Sequence, residues 1–188
     1  MRNLPSKLQE KPFTLRQAAQ LGLSFYELSK LVSSGVVEQM ARGIYRAAGG
    51  DIGEEEQYRV ATLRVGTPSA ICLLSALSHY HLTDVIPKKT WIMVPGQKRT
   101  SDRTVKLFRA RNPNWKIGIQ REDGYSITSI ERTLVDCLTQ RSRLGTNTSM
   151  AALRTAVESK KTMLSKVLEM AKELGVVHRI LPYIEALS

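Results

Sequence analysis

A chain of 188 residues with 42% hydrophobic content can bury one ample core or two small ones, and 24% charged residues with 6% aromatics exclude a disordered or fibrous chain. The 28 Lys and Arg against 17 Asp and Glu leave a formal charge of +11, a balance that draws polyanions, nucleic acid first among them. No apolar run reaches the ~20 residues of a membrane span, the first residues lack the apolar stretch of a signal peptide, and Cys72 and Cys137 sit in apolar segments. These features are expected of a cytoplasmic protein with reduced thiols.

In chain order, Leu4 and Leu8 fall four apart, so Leu4 to Lys11 reads as a short helix that Pro12 stops. Thr14 can cap a helix carrying Leu15, Ala18, Ala19 and Leu21, and Gly22 follows as a residue able to turn left-handed. Ser24-Phe25-Tyr26-Glu27 has the S-x-x-E spacing of a capping box and starts a second helix, which ends at Gly35. Two short helices about three residues apart predict a helix-turn-helix. Val36 to Met40 and Ile44 to Arg46, joined by Ala41-Arg42-Gly43, then read as a hairpin, the wing of a winged helix.

Gly49-Gly50 marks the expected domain boundary. Asp51 to Val65 reads as a helix whose first turn, with Asp51, Glu54, Glu55 and Glu56, suits the positive helix end. Ser69 opens an apolar helix through Ile71, Leu74, Leu77 and His81. Thr90 to Val94, Thr104 to Phe108, Ile117 to Gln120 and Tyr125 to Thr128 have the content of strands. Ser129 caps a helix with Leu134, Val135 and Leu138 inward, Arg141 to Ser149 reads as a polar loop, and three helices follow over 150–159, 162–174 and 176–187. Pro182 is expected to kink or interrupt the last. The fold class is α+β: a winged helix-turn-helix over 1–49, then a mixed α/β domain over 50–188 with a small sheet and a helical tail.

A recognition helix presents polar side chains near its N-terminus while its other face packs on the domain. Ser24, Tyr26 and Lys30 are placed outward, and Phe25, Leu28, Leu31 and Val32 inward. With Thr14 and Arg16 from the first helix and Arg42 and Arg46 from the wing, they form the expected DNA-binding set. Lys30 alone is suited to base readout, so affinity is assigned to phosphate contacts by Arg16, Lys30, Arg42 and Arg46. A candidate second basic surface comprises Lys88, Lys89, Lys98, Arg99, Arg103, Lys106, Arg109 and Arg111. It lies in a stretch, 88–121, that holds ten basic residues against Asp102 alone. Strict alternation over the strand beginning at Thr104 sets Thr104, Lys106 and Phe108 on one face and Val105, Leu107 and Arg109 on the other.

Catalytic and metal chemistry find no constellation. Ser75 and His79 are four apart without an evident Asp to orient the histidine. His79, His81 and Cys72 lack the spacing of metal ligands. Arg132 and Asp136, one turn apart, read as a structural ion pair. The chain is therefore expected to be no enzyme and to need neither cofactor nor metal.

Three segments, Ala41-Arg42-Gly43-Ile44-Tyr45-Arg46, Cys72-Leu73-Leu74-Ser75-Ala76-Leu77-Ser78-His79-Tyr80-His81-Leu82 and Ile127-Thr128-Ser129-Ile130-Glu131-Arg132-Thr133-Leu134-Val135-Asp136, occur in an order and spacing that resembles the AbiEi family over roughly residues 10 to 140. Its members are antitoxins and transcriptional regulators of type IV toxin-antitoxin, or abortive infection, systems. The resemblance implies an N-terminal winged helix that binds double-stranded operator DNA and represses its own operon, with a homo-oligomer on the DNA left open. It also implies a C-terminal domain that counters a cognate nucleotidyltransferase-like toxin. The alternative is a non-catalytic interaction module that binds a toxin or other partner directly, with incidental affinity for nucleic acid.

Overall fold

A computed structural model describes residues 3–50 and 53–187. The chain forms two compact units, Met1–Thr67 and Pro68–Ser188, each described here by itself.

In the first unit a 3₁₀ turn, Ser6–Leu8, precedes β1 (Phe13–Thr14), α1 (Leu15–Gln20), α2 (Phe25–Ser33), β2 (Val37–Ala41), β3 (Ile44–Ala47) and α3 (Glu54–Val65). Both short helices begin and end by the same devices. Thr14 with Gln17, and Ser24 with Glu27, close reciprocal capping boxes, which satisfy orphan N–H groups at each start. At the other ends Leu23 N–H donates to the Ala18 carbonyl and Val36 N–H to the Leu31 carbonyl, past Gly22 and Gly35 in the left-handed conformation, a Schellman closure. T-x-x-Q thus works at α1 as S-x-x-E does at α2.

The strands form one antiparallel sheet in the order β1-β3-β2. β1 is a strand that the sequence pattern did not reveal, because two residues show no periodicity. The stacking of Phe13 on Tyr45, with ring centroids 6.1 Å apart, accompanies its pairing to β3. The helix expected over Leu4 to Lys11 contracts to the 3₁₀ turn, yet Leu4 and Leu8 are buried with Phe13, Ala18, Leu23, Leu28, Leu31, Val37 and Tyr45 in one core. Tyr58, Ala61 and Val65 are the buried side of α3, as its spacing implied. Asp51, expected in its first turn, lies outside the described residues. The division of the chain falls after Thr67 rather than at Gly49-Gly50. α3 is bound into the first unit by Arg46, which reaches Glu56 at 3.0 Å.

The second unit contains β4 (Ala70–Ile71), α4 (Leu73–His79), β5 (Thr90–Pro95), β6 (Val105–Ala110), β7 (Ile119–Arg121), β8 (Ser126–Thr128), α5 (Ile130–Thr139), α6 (Arg141–Leu144), α7 (Thr146–Glu158), α8 (Leu164–Glu173) and α9 (Val177–Glu185). Its five-stranded mixed sheet has the order β6-β5-β4-β8-β7. β4 is central, antiparallel to β5 and parallel to β8. Ala70 and Ile71 were expected inside a helix and form this strand instead, since each pairs across the sheet, with Met93 and Ile92 respectively. The chain then turns into α4 at Leu73, whose φ is 49°. Leu73 and Leu77 of that helix join Leu134, Val135, Leu138, Leu153, Val167 and Ile180 in the main core. The stretch 141–149, expected as a loop, is largely helical: α6 lies there and α7 starts at Thr146. α9 runs through Pro182 unbroken. The N–H that proline lacks would have met the carbonyl of His178, an exposed residue whose carbonyl water can satisfy.

Arg132 ties α5 to the sheet. Its Nε donates to Asp136 at 2.8 Å, and Nη1 donates to the carbonyls of Trp115 and Ile117. The segment it grips bends at Gly118, φ +69°, where a Cβ would stand 2.7 Å from Arg132 Cβ. Burial pushes the Asp136 carboxyl up to about 6, against the pull of Arg132.

Arg132→Ala is expected to lower unfolding free energy by about 3–5 kcal/mol, because it strands a buried carboxylate and two carbonyls; urea melts check this. Asp136 binds its proton more readily folded than unfolded, where carboxyls titrate near 3.9. Its contribution is therefore greatest below that value and is lost as pH rises through about 6. Urea midpoints measured from pH 4 to 7 should fall across this window, and Asp136→Asn should flatten that part of the slope.

Candidate nucleic-acid interface

The exposed side of the α1–α2 pair is set by the capping and packing just described. Leu23, the residue before the cap, and Leu28, in the second turn of α2, are buried in the same core, the arrangement of a hydrophobic staple. With Leu23 filling that position, Phe25 is not drawn inward as its spacing from Leu28 had implied. It is 66% exposed, and Tyr26 beside it is 67% exposed. Leu28 and Leu31 are buried and Val32 is half-buried, as expected. Ser24, Ser29, Lys30 and Ser33 are exposed. The Lys30 ammonium lies 4.4 Å from the centroid of the Tyr26 ring, a cation-π contact that keeps the charge on this surface.

Two members of the expected DNA-binding set act as caps. The Thr14 hydroxyl accepts from Gln17 N–H and donates to its side-chain carbonyl, and the Ser24 hydroxyl does the same with Glu27. Their local role is to fix where the helices start. Arg16 is exposed on α1. Arg42 is exposed at the hairpin turn, next to Gly43 at φ +74°, a conformation that costs little without a side chain.

Arg46 departs from expectation. It is 7% exposed, its Nε and Nη2 donate to Glu38 at 3.0 and 2.8 Å, and its Nη1 donates to Glu56 at 3.0 Å. The Glu38 hydrogen bond raises its pKa, desolvation opposes this, and the Glu56 charge adds to the rise. A guanidinium bound to two carboxylates offers no net positive charge to a phosphate. Arg46 therefore leaves the set of phosphate contacts and becomes the link between hairpin and α3. The register of the hairpin sets Glu38 and Arg46 opposite each other.

In the second unit the predicted basic residues gather along one margin of the sheet only in part. β6 is one of its two edge strands, with Lys106 and Arg109 exposed and Val105 and Phe108 buried, so burial does not follow the two alternating sets. Lys106 Nζ lies 3.8 Å from the Trp91 ring centroid, and Arg109 Nε donates to the Lys98 carbonyl at 3.3 Å. Lys98 itself is half-buried, its ammonium 3.4 Å from the Pro68 carbonyl, and burial lowers its pKa. Arg99 and Arg103, in the β5–β6 connection, and Arg111, just past β6, are exposed. Lys88 and Lys89 are exposed ahead of β5. Ser75, weighed as a nucleophile, accepts the Trp91 N–H at 2.9 Å and belongs to the buried scaffold.

Residues 7–48 match the model of a family described as a transcriptional regulator, the AbiEi antitoxin. The matched stretch lies wholly within the first unit and spans both capped helices and the hairpin. No curated protein matches the chain. No helix among the described residues is long and apolar enough to cross a membrane.

Arg46→Ala is expected to destabilise the first unit by about 3 kcal/mol, because Glu56, with its side chain only 14% exposed, loses its partner. Glu38→Gln should cost less, its side chain being 46% exposed. Urea denaturation of the two variants checks the order.

Proposed function

We propose that this chain is a bacterial DNA-binding transcriptional repressor and antitoxin, acting on its own operon and countering a nucleotidyltransferase-like toxin in a type IV system. The reading takes the first unit as a winged helix-turn-helix and α2 as the helix that enters the major groove. The observation that carries it is the coincidence of the family match over 7–48 with two capped helices and a hairpin. The second of those helices keeps its first turn exposed.

The chemistry follows from what each group has left to give. Lys30 on α2, Arg16 on α1 and Arg42 at the hairpin tip are exposed cations, suited to phosphate oxygens on either side of a groove. Arg46 acts through position: its ion pairs hold the hairpin so that Arg42 projects from the turn. Three such contacts give a salt slope of about −3 from the first unit. The exposed cations of β6 and its flanks, Arg99, Arg103, Lys106, Arg109 and Arg111, are assigned as the second phosphate-binding surface. The antitoxin activity is assigned to the second unit, with the toxin as its functional partner and the cytoplasm as its setting.

Gel-shift titration against the DNA upstream of the gene tests the reading, and absence of binding at low salt sinks it. Arg42→Ala should flatten the slope of log K against log salt by about 0.9. Arg46→Ala, assayed where it remains folded, should flatten that slope by no more than Arg42→Ala does, because it acts only through the placing of Arg42. Full-length protein carrying Lys30→Ala and Arg42→Ala should lose repression of a reporter yet still rescue growth when co-expressed with the neighbouring gene product. Loss of both together would contradict the assignment of the antitoxin activity to the second unit.

A further inference from the structure

α2 leaves two aromatic rings in water, Phe25 and Tyr26, each about two-thirds exposed. Both stand in its first turn, the part of a recognition helix that meets base edges. The helix contains no Arg, Asn or Gln, the residues that read purines through paired hydrogen bonds. Its carboxylate, Glu27, is bonded to the Ser24 N–H and hydroxyl, and the Ser33 hydroxyl turns back to the Ser29 carbonyl. Hydrogen-bond readout is thus left to Lys30, Ser29 and the Tyr26 hydroxyl, while the larger uncovered surface is apolar. The major-groove feature that apolar side chains read is the C5-methyl group of thymine.

Resting on the assignment of α2 as the groove-entering helix, we propose that Phe25 and Tyr26 are specificity residues that read thymine C5-methyl groups in a duplex site. Burial of a methyl against an aromatic ring removes apolar surface from water on both partners. Lys30, stacked on the Tyr26 ring, adds charge attraction to the same strand without selecting a base. The two rings then supply selectivity that the sparse hydrogen-bonding groups of α2 do not.

The test compares binding of the full-length protein to two duplexes of its own upstream DNA, one containing thymidine and one deoxyuridine throughout. They differ by the methyl groups and keep the same Watson–Crick hydrogen bonds. Each buried methyl is worth about a four-fold change in affinity, so two or three contacts predict roughly 16- to 60-fold weaker binding to the uridine duplex. The double variant Phe25→Ala/Tyr26→Ala should bind both duplexes alike, near the level of the unaltered protein on the uridine duplex. An unchanged urea midpoint, expected from the exposure of both rings, confirms that the variant is folded, and single variants should each lose part of the preference. Equal binding of both duplexes by the unaltered protein overturns the proposal and leaves the DNA-binding reading standing. A thymidine preference that the double variant retains also overturns it, because the methyls then act through duplex shape. Binding to neither duplex overturns the reading and the proposal together.

Discussion

A guanidinium can leave water only if its charge and its five N–H groups find partners, and both units of this chain are organised around an arginine that meets this demand. Arg46 is held by Glu38 from the neighbouring strand and Glu56 from α3. Arg132 is held by Asp136 one turn along α5 and by two carbonyls of the segment that bends at Gly118. In each case one planar group joins separate elements of its own unit. Removing either arginine leaves a carboxylate with little access to water, Glu56 in one case and Asp136 in the other. The count of 28 Lys and Arg therefore overstates the cations that the folded protein shows to a ligand, because some of them serve inward.

On the proposed function, the distribution of the remaining charge separates affinity from selectivity. The first unit offers a few exposed cations around a helix whose leading turn is aromatic. The second unit carries a denser set of cations on and beside its outer strand. Phosphate attraction is strong, long in range and indifferent to sequence, whereas apolar contact with a base edge is weak, short in range and selective. A protein that places these properties on different surfaces can alter one without disturbing the other.

The sequence was most legible where a local rule acts through neighbouring residues. Ser24 and Glu27 announced α2, Gly22 the end of α1, Gly35 the end of α2, and Ser129 the start of α5, because caps and left-handed glycines work within one turn. The four strands expected between Thr90 and Thr128 are all present for the same reason: their β-branched and aromatic content is local. Features set by distant partners were not legible. Ala70 and Ile71 form a strand because Met93 and Ile92 lie beside them. Phe25 is a local exception, uncovered because Leu23, two residues before it, takes the inward place. Arg42 and Arg46 look alike in the sequence and differ only because two carboxylates converge on one of them. Charge and a place in the wing cannot by themselves tell a free guanidinium from a neutralised one.

The outer strand of the second sheet has a consequence apart from any ligand. Among the described residues β6 pairs with β5 alone, so its other edge presents backbone groups that a strand of a second molecule would match. Lys106 and Arg109 stand on that strand, and Arg103 and Arg111 flank it. When two copies approach edge to edge, like charges meet before any backbone hydrogen bond can form. The same cations thus guard the molecule against self-association into extended sheets, a protection that high salt weakens and that any tightly bound polyanion removes for as long as it stays.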